Sequence, residues 1–216
     1  MMFTANAAGS PQDTDAPVTS DAPATSDAPV TSDAPVTSDA DRSEYVRLQH
    51  ELERLASKNA WVGVERTYRA MEATGVPMAA NDLKVGAHSA REIGDIKSTR
   101  ERLLQAHQWS KSQGTAEDPE LLEWMWQIRE EYGAVHLTAE PGTRALSAEV
   151  MPFNPVQAKA VRFAIAQIEV TGRFEGWLPA GNYMFGDRAV KVRPGPNGEQ
   201  VLYPIKDRKK KKSQKK

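Results

Sequence analysis

The sequence of 216 residues contains no cysteine. This absence excludes disulfide bonds, thiolate zinc sites and thiol nucleophiles, and it is typical of a reducing compartment. No run approaches the roughly 18 apolar residues that a membrane-spanning helix needs. Residues 1–10 also lack the basic start and the apolar centre of a signal peptide. We therefore predict a cytoplasmic location and no membrane span.

Motifs for catalysis, cofactor binding and metal binding are also lacking. There is no phosphate-binding glycine loop, no dinucleotide-binding glycine motif and no serine nucleophile elbow. The His88–Glu92 pair and the adjacent carboxylates of Glu130 and Glu131 are typical of solvated helix surfaces. We predict a non-catalytic protein with no cofactor and no metal. No two of the four histidines have metal-ligand spacing on one helix: they are His50, His88, His107 and His136.

Positive charge is absent from the N-terminal segment and concentrated at the opposite end. Residues 1–41 contain seven aspartates and no lysine or arginine, which gives a net charge of −7. Residues 206–216 contain eight basic residues and Asp207, which gives +7. Because the whole chain has a net charge of −1, residues 42–205 are nearly balanced. The N-terminal segment is therefore acidic, the C-terminal segment is basic, and the residues between them carry almost no net charge.

The acidic segment is a hexapeptide repeat. Ser-Asp-Ala-Pro-Val-Thr recurs between Asp15 and Ala40, with Ala24 replacing valine once. The prolines oppose helix formation, and isolated valines bury too little surface to offset chain entropy. The pattern predicts that residues 1–41 form a disordered, polyproline-rich tail. Such a tail is a solubilising spacer or, alternatively, carries binding or phosphorylation sites.

The basic segment, residues 206–216, is predicted to be a second disordered tail. Clustered lysines attract phosphate backbones or anionic lipid without sequence selectivity. No aromatic residue lies among them, which argues against stacking on single-stranded bases. The alternatives are a solubilising tail, folding back onto the acidic segment, weak non-specific contact with nucleic acid, and contact with a membrane surface. The lysines that would make these contacts are Lys209, Lys210, Lys211, Lys212, Lys215 and Lys216.

Two predicted helix pairs in residues 43–111 superimpose at an offset of 35 residues. Val64, Tyr68 and Met71 form a small–aromatic–small series in the second helix. The region resembles the tetratricopeptide-repeat superfamily. This resemblance implies an array of helical hairpins whose concave face binds a peptide or a partner domain. The positions that match are Leu48 and Leu83, Leu52 and Ala87, Leu55 and Ala90, Trp61 and Ile96, Tyr68 and Leu103, and Met71 and Ala106.

A fifth helix is predicted from Asp118 to Tyr132, where it opens a third hairpin or caps the stack. It has one broad apolar face and a second apolar stripe formed by Leu122 and Trp126. A helix that packs against the protein on only one side needs less apolar surface than this. We expect the helix to be buried between the helical stack and the following residues; an exposed partner groove is the alternative. The candidate partner-binding residues are Trp124, Trp126 and Trp109.

After Gly133 the apolar period changes to two. The alternation predicts a hairpin between residues 135–139 and 146–150, then a helix over 155–170, and then short strands up to Tyr203. The string from Gly172 to Tyr183 resembles the Gly-x-Phe…Leu-Pro-x-Gly-x-Tyr corner of small PEGA and carboxypeptidase-regulatory-like β-sandwich modules. The resemblance implies an interaction or architectural unit without catalytic residues.

These patterns predict an α+β protein with disordered tails at both ends. Residues 42–132 are assigned to the helical-hairpin domain and residues 133–205 to a small β-rich domain with one helix. We predict a non-catalytic adaptor or scaffold for an unidentified protein partner. The alternative is a nucleic-acid-associated protein that uses the lysine tail. A salt titration of duplex DNA binding, with and without residues 206–216, separates the two hypotheses.

Overall fold

A computed structural model of the protein describes residues 38–116, 118–142 and 144–202, the last seven by their backbone only. The described residues belong to one compact unit. Helices come first, followed by two small sheets with a further helix between their strands, which confirms the predicted α+β class. The elements are α1 (Asp39–Ala56), α2 (Trp61–Ala73), α3 (Ala80–Ile93), α4 (Ile96–Ser112), α5 (Pro119–Glu131), β1 (Tyr132–Thr138), β2 (Leu146–Ala148), α6 (Pro155–Thr171), β3 (Arg173–Pro179), β4 (Gly181–Phe185), β5 (Arg188–Val192) and β6 (Gly195–Leu202).

The first helix begins four residues before the predicted start at Ser43. Ser38 and Asp41 form a capping box in which the Ser38 hydroxyl accepts from the Asp41 amide and the Asp41 carboxylate accepts from the Ser38 amide, each at 3.1 Å. This reciprocal cap satisfies two otherwise unpaired amides at the helix start. The end of the acidic repeat is therefore part of α1. The predictions for residues 1–37 and 203–216 lie outside the described residues.

The two superimposed helix pairs are α1–α2 and α3–α4, and eleven of their twelve matched positions lie in or against one hydrophobic cluster. Only Leu55 and Trp61 are partly exposed, and both pack against that cluster. The matched positions are therefore core positions of both hairpins, as a 35-residue repeat requires. The other ten matched residues are buried: Leu48, Leu52, Tyr68, Met71, Leu83, Ala87, Ala90, Ile96, Leu103 and Ala106.

The strands form two three-stranded sheets, in the orders β3-β1-β6 and β2-β4-β5. The predicted hairpin between residues 135–139 and 146–150 is wrong, because β1 and β2 lie in different sheets. β1 pairs antiparallel with β3 and parallel with β6, whereas β2 pairs antiparallel with β4. The two-residue alternation does identify buried faces, since Val135, Leu137 and Leu146 are buried. Alternation specifies which face of a strand is buried and does not specify its partner.

Both sheets pack around α6 and share a second hydrophobic cluster. The helix was predicted over residues 155–170 and is confirmed with one further residue. It contributes Val161, Ala164 and Ile168, all with no exposed surface. The strands contribute Val135, Leu137, Leu146, Phe174, Leu178, Tyr183, Phe185, Val190 and Val192.

The helical and β parts meet along a continuous contact. The predicted boundary at residue 132 lies where the chain passes directly from α5 into β1. Gly94, at the end of α3, packs against the backbone of α6, where an added Cβ would lie 2.5 Å from the Lys159 carbonyl oxygen. The Lys159 ammonium also binds the Glu92 carboxylate at 2.6 Å. α6 therefore covers part of the surface that α3 presents.

The corner between β3 and β4 is held together by side-chain contacts of Tyr183. The Tyr183 hydroxyl donates to the Pro179 carbonyl at 2.8 Å, and Tyr183 shares its cluster with Leu178 and Phe174. Gly181, two residues after Pro179, does not have a positive φ. An added Cβ at Gly181 would have its nearest neighbour, the Tyr183 ring, at an ordinary 3.7 Å. A glycine that does require its positive φ is Gly172, between α6 and β3, with φ of +71° and the Ala139 carbonyl oxygen 2.5 Å from an added Cβ.

Alanine substitutions at these two glycines should differ in their effect on stability. Gly181→Ala should change the free energy of unfolding by less than about 1 kcal/mol, because its backbone suits any residue. Gly172→Ala should cost more than about 1–2 kcal/mol, since an L-residue in the left-handed region is strained and its Cβ would contact Ala139. Urea unfolding of both variants measures this difference. An equal or reversed order would contradict the described backbone at these two glycines.

Candidate functional site

The second apolar stripe of α5 is exposed and lines a groove. Leu122 is 36% exposed and Trp126 is 56% exposed. They lie beside Leu104 of α4, Met125 of α5 and Trp177 of β3, around a groove of about 260 Å³. Burying large apolar groups in contact with water is favourable, so a groove of this composition is suited to an apolar side chain of a partner. We name these five residues the Trp126 groove.

Two arginines flank the Trp126 groove. The Arg100 guanidinium lies over the Trp177 ring, 5.2 Å from its centroid. Arg129 is largely exposed, and its Nε donates to the Glu130 carboxylate at 2.9 Å. Exposed ion pairs contribute little and exchange readily, so Arg129 is available to an incoming carboxylate. The groove is therefore best matched by a segment that combines an apolar side chain with an acidic neighbour.

Trp124 lies in a stack of rings on the opposite side of α5. The His88 ring lies between Trp61, at 4.3 Å between centroids, and Trp124, at 5.4 Å. The Arg91 guanidinium covers the Trp124 ring at 4.6 Å. Burial lowers the pKa of His88, although Glu92, with Oε1 3.8 Å from Nε2, acts in the opposite direction. The His88 ring is therefore packed between two tryptophan rings, whereas its i,i+4 pairing with Glu92 predicted an ordinary surface residue.

Trp109 lies on a third surface. It is 38% exposed and lines an open groove of about 530 Å³ with Val76, Met78 and Leu83, between the α2–α3 connection and α4. The structure therefore does not bring the three candidate tryptophans together. Trp126 has the most exposed ring and the most apolar surroundings, Trp124 is partly buried within a stack, and Trp109 is separate from both.

A buried charged network joins the two hairpins. Arg102 donates two hydrogen bonds to the Glu65 carboxylate, at 2.6 and 2.8 Å, and a third to the Gly86 carbonyl at 2.7 Å. Burial opposes ionisation of Glu65, but the hydrogen bonds from Arg102, Arg69 and Ser89 outweigh it and lower its pKa to about 2. The Arg102 guanidinium also lies 3.8 Å from the Tyr68 ring centroid. This network connects α2, α3 and α4 and serves their packing.

A second buried carboxylate, Asp82, joins α1 to α3. Asp82 has no exposed surface, and it accepts hydrogen bonds from the Tyr45 hydroxyl at 2.7 Å and from the Gln49 amide at 3.0 Å. Glu65, Arg102 and Asp82 were not predicted as buried residues, because apolar periodicity gives no weight to charged side chains. Their one signal in the sequence is that each lies beside a buried apolar residue on its helix.

The lysines proposed for nucleic-acid contact, at positions 209–212, 215 and 216, lie outside the described residues. Within the described ranges, no helix is long and apolar enough to cross a membrane. The same ranges contain no group of three or more acidic or histidine side chains arranged to hold a metal ion. Comparisons of the chain with protein-family models, curated proteins and solved structures find no match.

Proposed function

We propose that the protein is a non-catalytic adaptor that binds a partner segment in the Trp126 groove. The observation that carries the proposal is the exposure of Trp126 and Leu122 side by side on one helix. A groove flanked by arginines favours a partner segment with an apolar residue next to an aspartate or glutamate. α6 covers part of the surface of α3, so we place the binding site on the outer side of α5 instead of on a concave face.

We further propose that the helical part is tetratricopeptide-like. Support comes from the 35-residue register, whose matched positions lie in or beside the core, and from Gly86, which packs directly against the Tyr68 ring of the preceding hairpin. A relation of the β part to PEGA-like modules is supported by its corner, where Tyr183, Leu178 and Phe174 pack together. In this proposal the β part holds Trp177 against α4 and so completes one wall of the groove.

Trp126→Ala should abolish partner capture and leave the fold intact. Interface tryptophans are frequent hot spots whose truncation costs about 2 kcal/mol or more of binding, roughly a 30-fold loss of affinity. Its effect on stability should be below about 1 kcal/mol because the side chain is exposed. The measurement is affinity capture with the immobilised protein, followed by mass spectrometry and by titration of the enriched partner.

Phe153→Ala is the matched control, because Phe153 is 99% exposed on the loop before α6 and is not part of the groove. It should retain the partner that Trp126→Ala loses. Equal capture by the parent and by both variants would contradict the proposal. If deletion of residues 206–216 alone removed binding, and the binding were to duplex DNA with steep salt dependence, the nucleic-acid hypothesis would replace it.

A further inference from the structure

A cavity of about 140 Å³ lies at the junction of α3, α4, α5 and α6, separate from the Trp126 groove. Its apolar walls include Ile96, Ile128 and Val156, with the Trp124 ring alongside. Its polar lining includes Arg91, Glu131 and Tyr132, together with the uncharged side chains of Thr99, Gln127 and Asn154. The cavity therefore combines an apolar wall with a cation, a carboxylate and a phenol.

Tyr132 is a buried polar residue that lines this cavity. Tyr132 is only 4% exposed. The Tyr68 hydroxyl is the one buried side-chain polar atom without a partner among the described residues, so the Tyr132 hydroxyl is not an enclosed, unsatisfied group. It can form a hydrogen bond with water or with a ligand in the cavity. Burial is the main cause that raises the pKa of Tyr132 to about 12, and the nearby Glu131 carboxylate adds to it. The hydroxyl therefore stays neutral and able to donate a hydrogen bond.

The two charged groups of the cavity are also available. Arg91 forms no ion pair with a described residue; its one hydrogen bond, to Gln127, is long at 3.5 Å. Glu131 forms no ion pair within the described ranges either, and its Oε2 accepts from the Gln157 amide at 2.9 Å. The same cavity thus presents an unpaired cation and an unpaired anion that do not bind each other.

We propose that this cavity binds a small zwitterion, a molecule that carries both a carboxylate and an ammonium group. The ligand carboxylate accepts hydrogen bonds from Arg91 and the Tyr132 hydroxyl, because an arginine fork matches a carboxylate. The ligand ammonium donates to Glu131. Its carbon atoms contact Ile96, Ile128 and Val156.

The size of the cavity limits the ligand. A protein cavity of about 150 Å³ holds a benzene molecule, which has six non-hydrogen atoms. Alanine also has six non-hydrogen atoms, and 4-aminobutanoate has seven. The ligand class is therefore compact free amino acids, and both α- and ω-amino acids have the required chemistry.

Isothermal titration calorimetry of the full chain with L-alanine and with 4-aminobutanoate tests the proposal. The comparison also shows whether the cavity prefers an α-amino acid or an ω-amino acid. L-Alaninamide, which lacks the carboxylate, and N-acetyl-L-alanine, which lacks the ammonium, are the matched ligands. At least one zwitterion should bind, and both blocked analogues should bind at least tenfold more weakly. Failure of both zwitterions to bind at 10 mM, or equal binding of the blocked analogues, would overturn the proposal.

Variants locate the binding in the cavity. Arg91→Gln and Glu131→Gln should each weaken binding roughly 10- to 100-fold, as expected for loss of a charge-assisted hydrogen bond. Tyr132→Phe removes only the hydroxyl, so it should fold like the parent and weaken binding roughly two- to tenfold. Arg66→Gln, at an exposed position of α2, is the control and should bind like the parent. Unchanged binding in Arg91→Gln and Tyr132→Phe would show that the ligand binds elsewhere and would overturn the site.

Discussion

Arg102→Met is expected to lower the free energy of unfolding by about 3–5 kcal/mol, because it removes the main partner of the buried Glu65 carboxylate. Arg102 and Glu65 are 5% and 6% exposed, so water does not replace the lost hydrogen bonds. The change also removes the bond to the Gly86 carbonyl and the guanidinium over Tyr68. Urea unfolding followed by far-UV circular dichroism measures the loss.

Two further variants show whether the effect arises from an unpaired buried charge. Arg69→Met also removes a hydrogen bond to Glu65, but the Arg69 side chain is 60% exposed, so the cost should be below about 1 kcal/mol. The double variant Glu65→Met/Arg102→Met should recover most of the stability, since an apolar pair replaces an ion pair at little cost. A double variant as unstable as Arg102→Met alone would contradict this interpretation.

The pH dependence of stability gives an independent test of the same network. The pKa of Glu65 is lowered from 4.5 to about 2 in the folded protein, so the unfolded state binds this proton more readily. The stabilisation by ionised Glu65 is therefore complete above the unfolded pKa and is lost as the pH falls from about 4.5 to 2. The parent should lose more stability over this range than the double variant, which lacks the carboxylate.

Leu103→Ala should cost about 2–5 kcal/mol, the range for truncating a fully buried leucine. Leu103 has no exposed surface and belongs to the helical cluster, at the position matched to Tyr68 in the first hairpin. Leu122→Ala makes the same chemical change at an exposed position of α5 and should cost less than about 1 kcal/mol. Thermal and urea unfolding of both variants measures the difference.

Tyr68 gives a complementary test of the equivalence with Leu103. Its hydroxyl is buried without a hydrogen-bond partner among the described residues. Tyr68→Phe should therefore be neutral or slightly stabilising, whereas Tyr68→Ala should cost about 3–5 kcal/mol, as for other large buried aromatic residues. If Leu103→Ala or Tyr68→Ala were as stable as the parent, the 35-residue register would be wrong.

The sequence predicted the helical part well because its information is local. Each helix buries one face, so the spacing of Tyr68 and Leu103 from their neighbours identifies the core. Asp118 and Pro119 likewise mark the start of α5 through a cap and a first-turn proline. Where the prediction missed the start of α1, the signal was still local, since Ser38 and Asp41 have capping-box spacing.

The β part and the polar sites depend on partners that are distant in the sequence. The alternation around Val135 predicted a strand but assigned it the wrong neighbour, because its partners, β3 and β6, come after β2 in the chain. Arg102 reaches Glu65 across 37 positions, and no local rule connects them. The cavity near Tyr132 is formed by four helices and the start of β1, so it has no sequence signature at all.

The parallel pairing of β1 with β6 has a consequence during synthesis on the ribosome. The helical hairpins make mostly local contacts and can form as soon as they emerge. β1 gains its second neighbour only when β6, the last strand described, is available. At about 5–20 residues per second, the interval between Thr138 and Gly195 lasts roughly 3–11 s. For that time the nascent chain has an open strand edge, which is the state most prone to pairing with another chain or to capture by a chaperone.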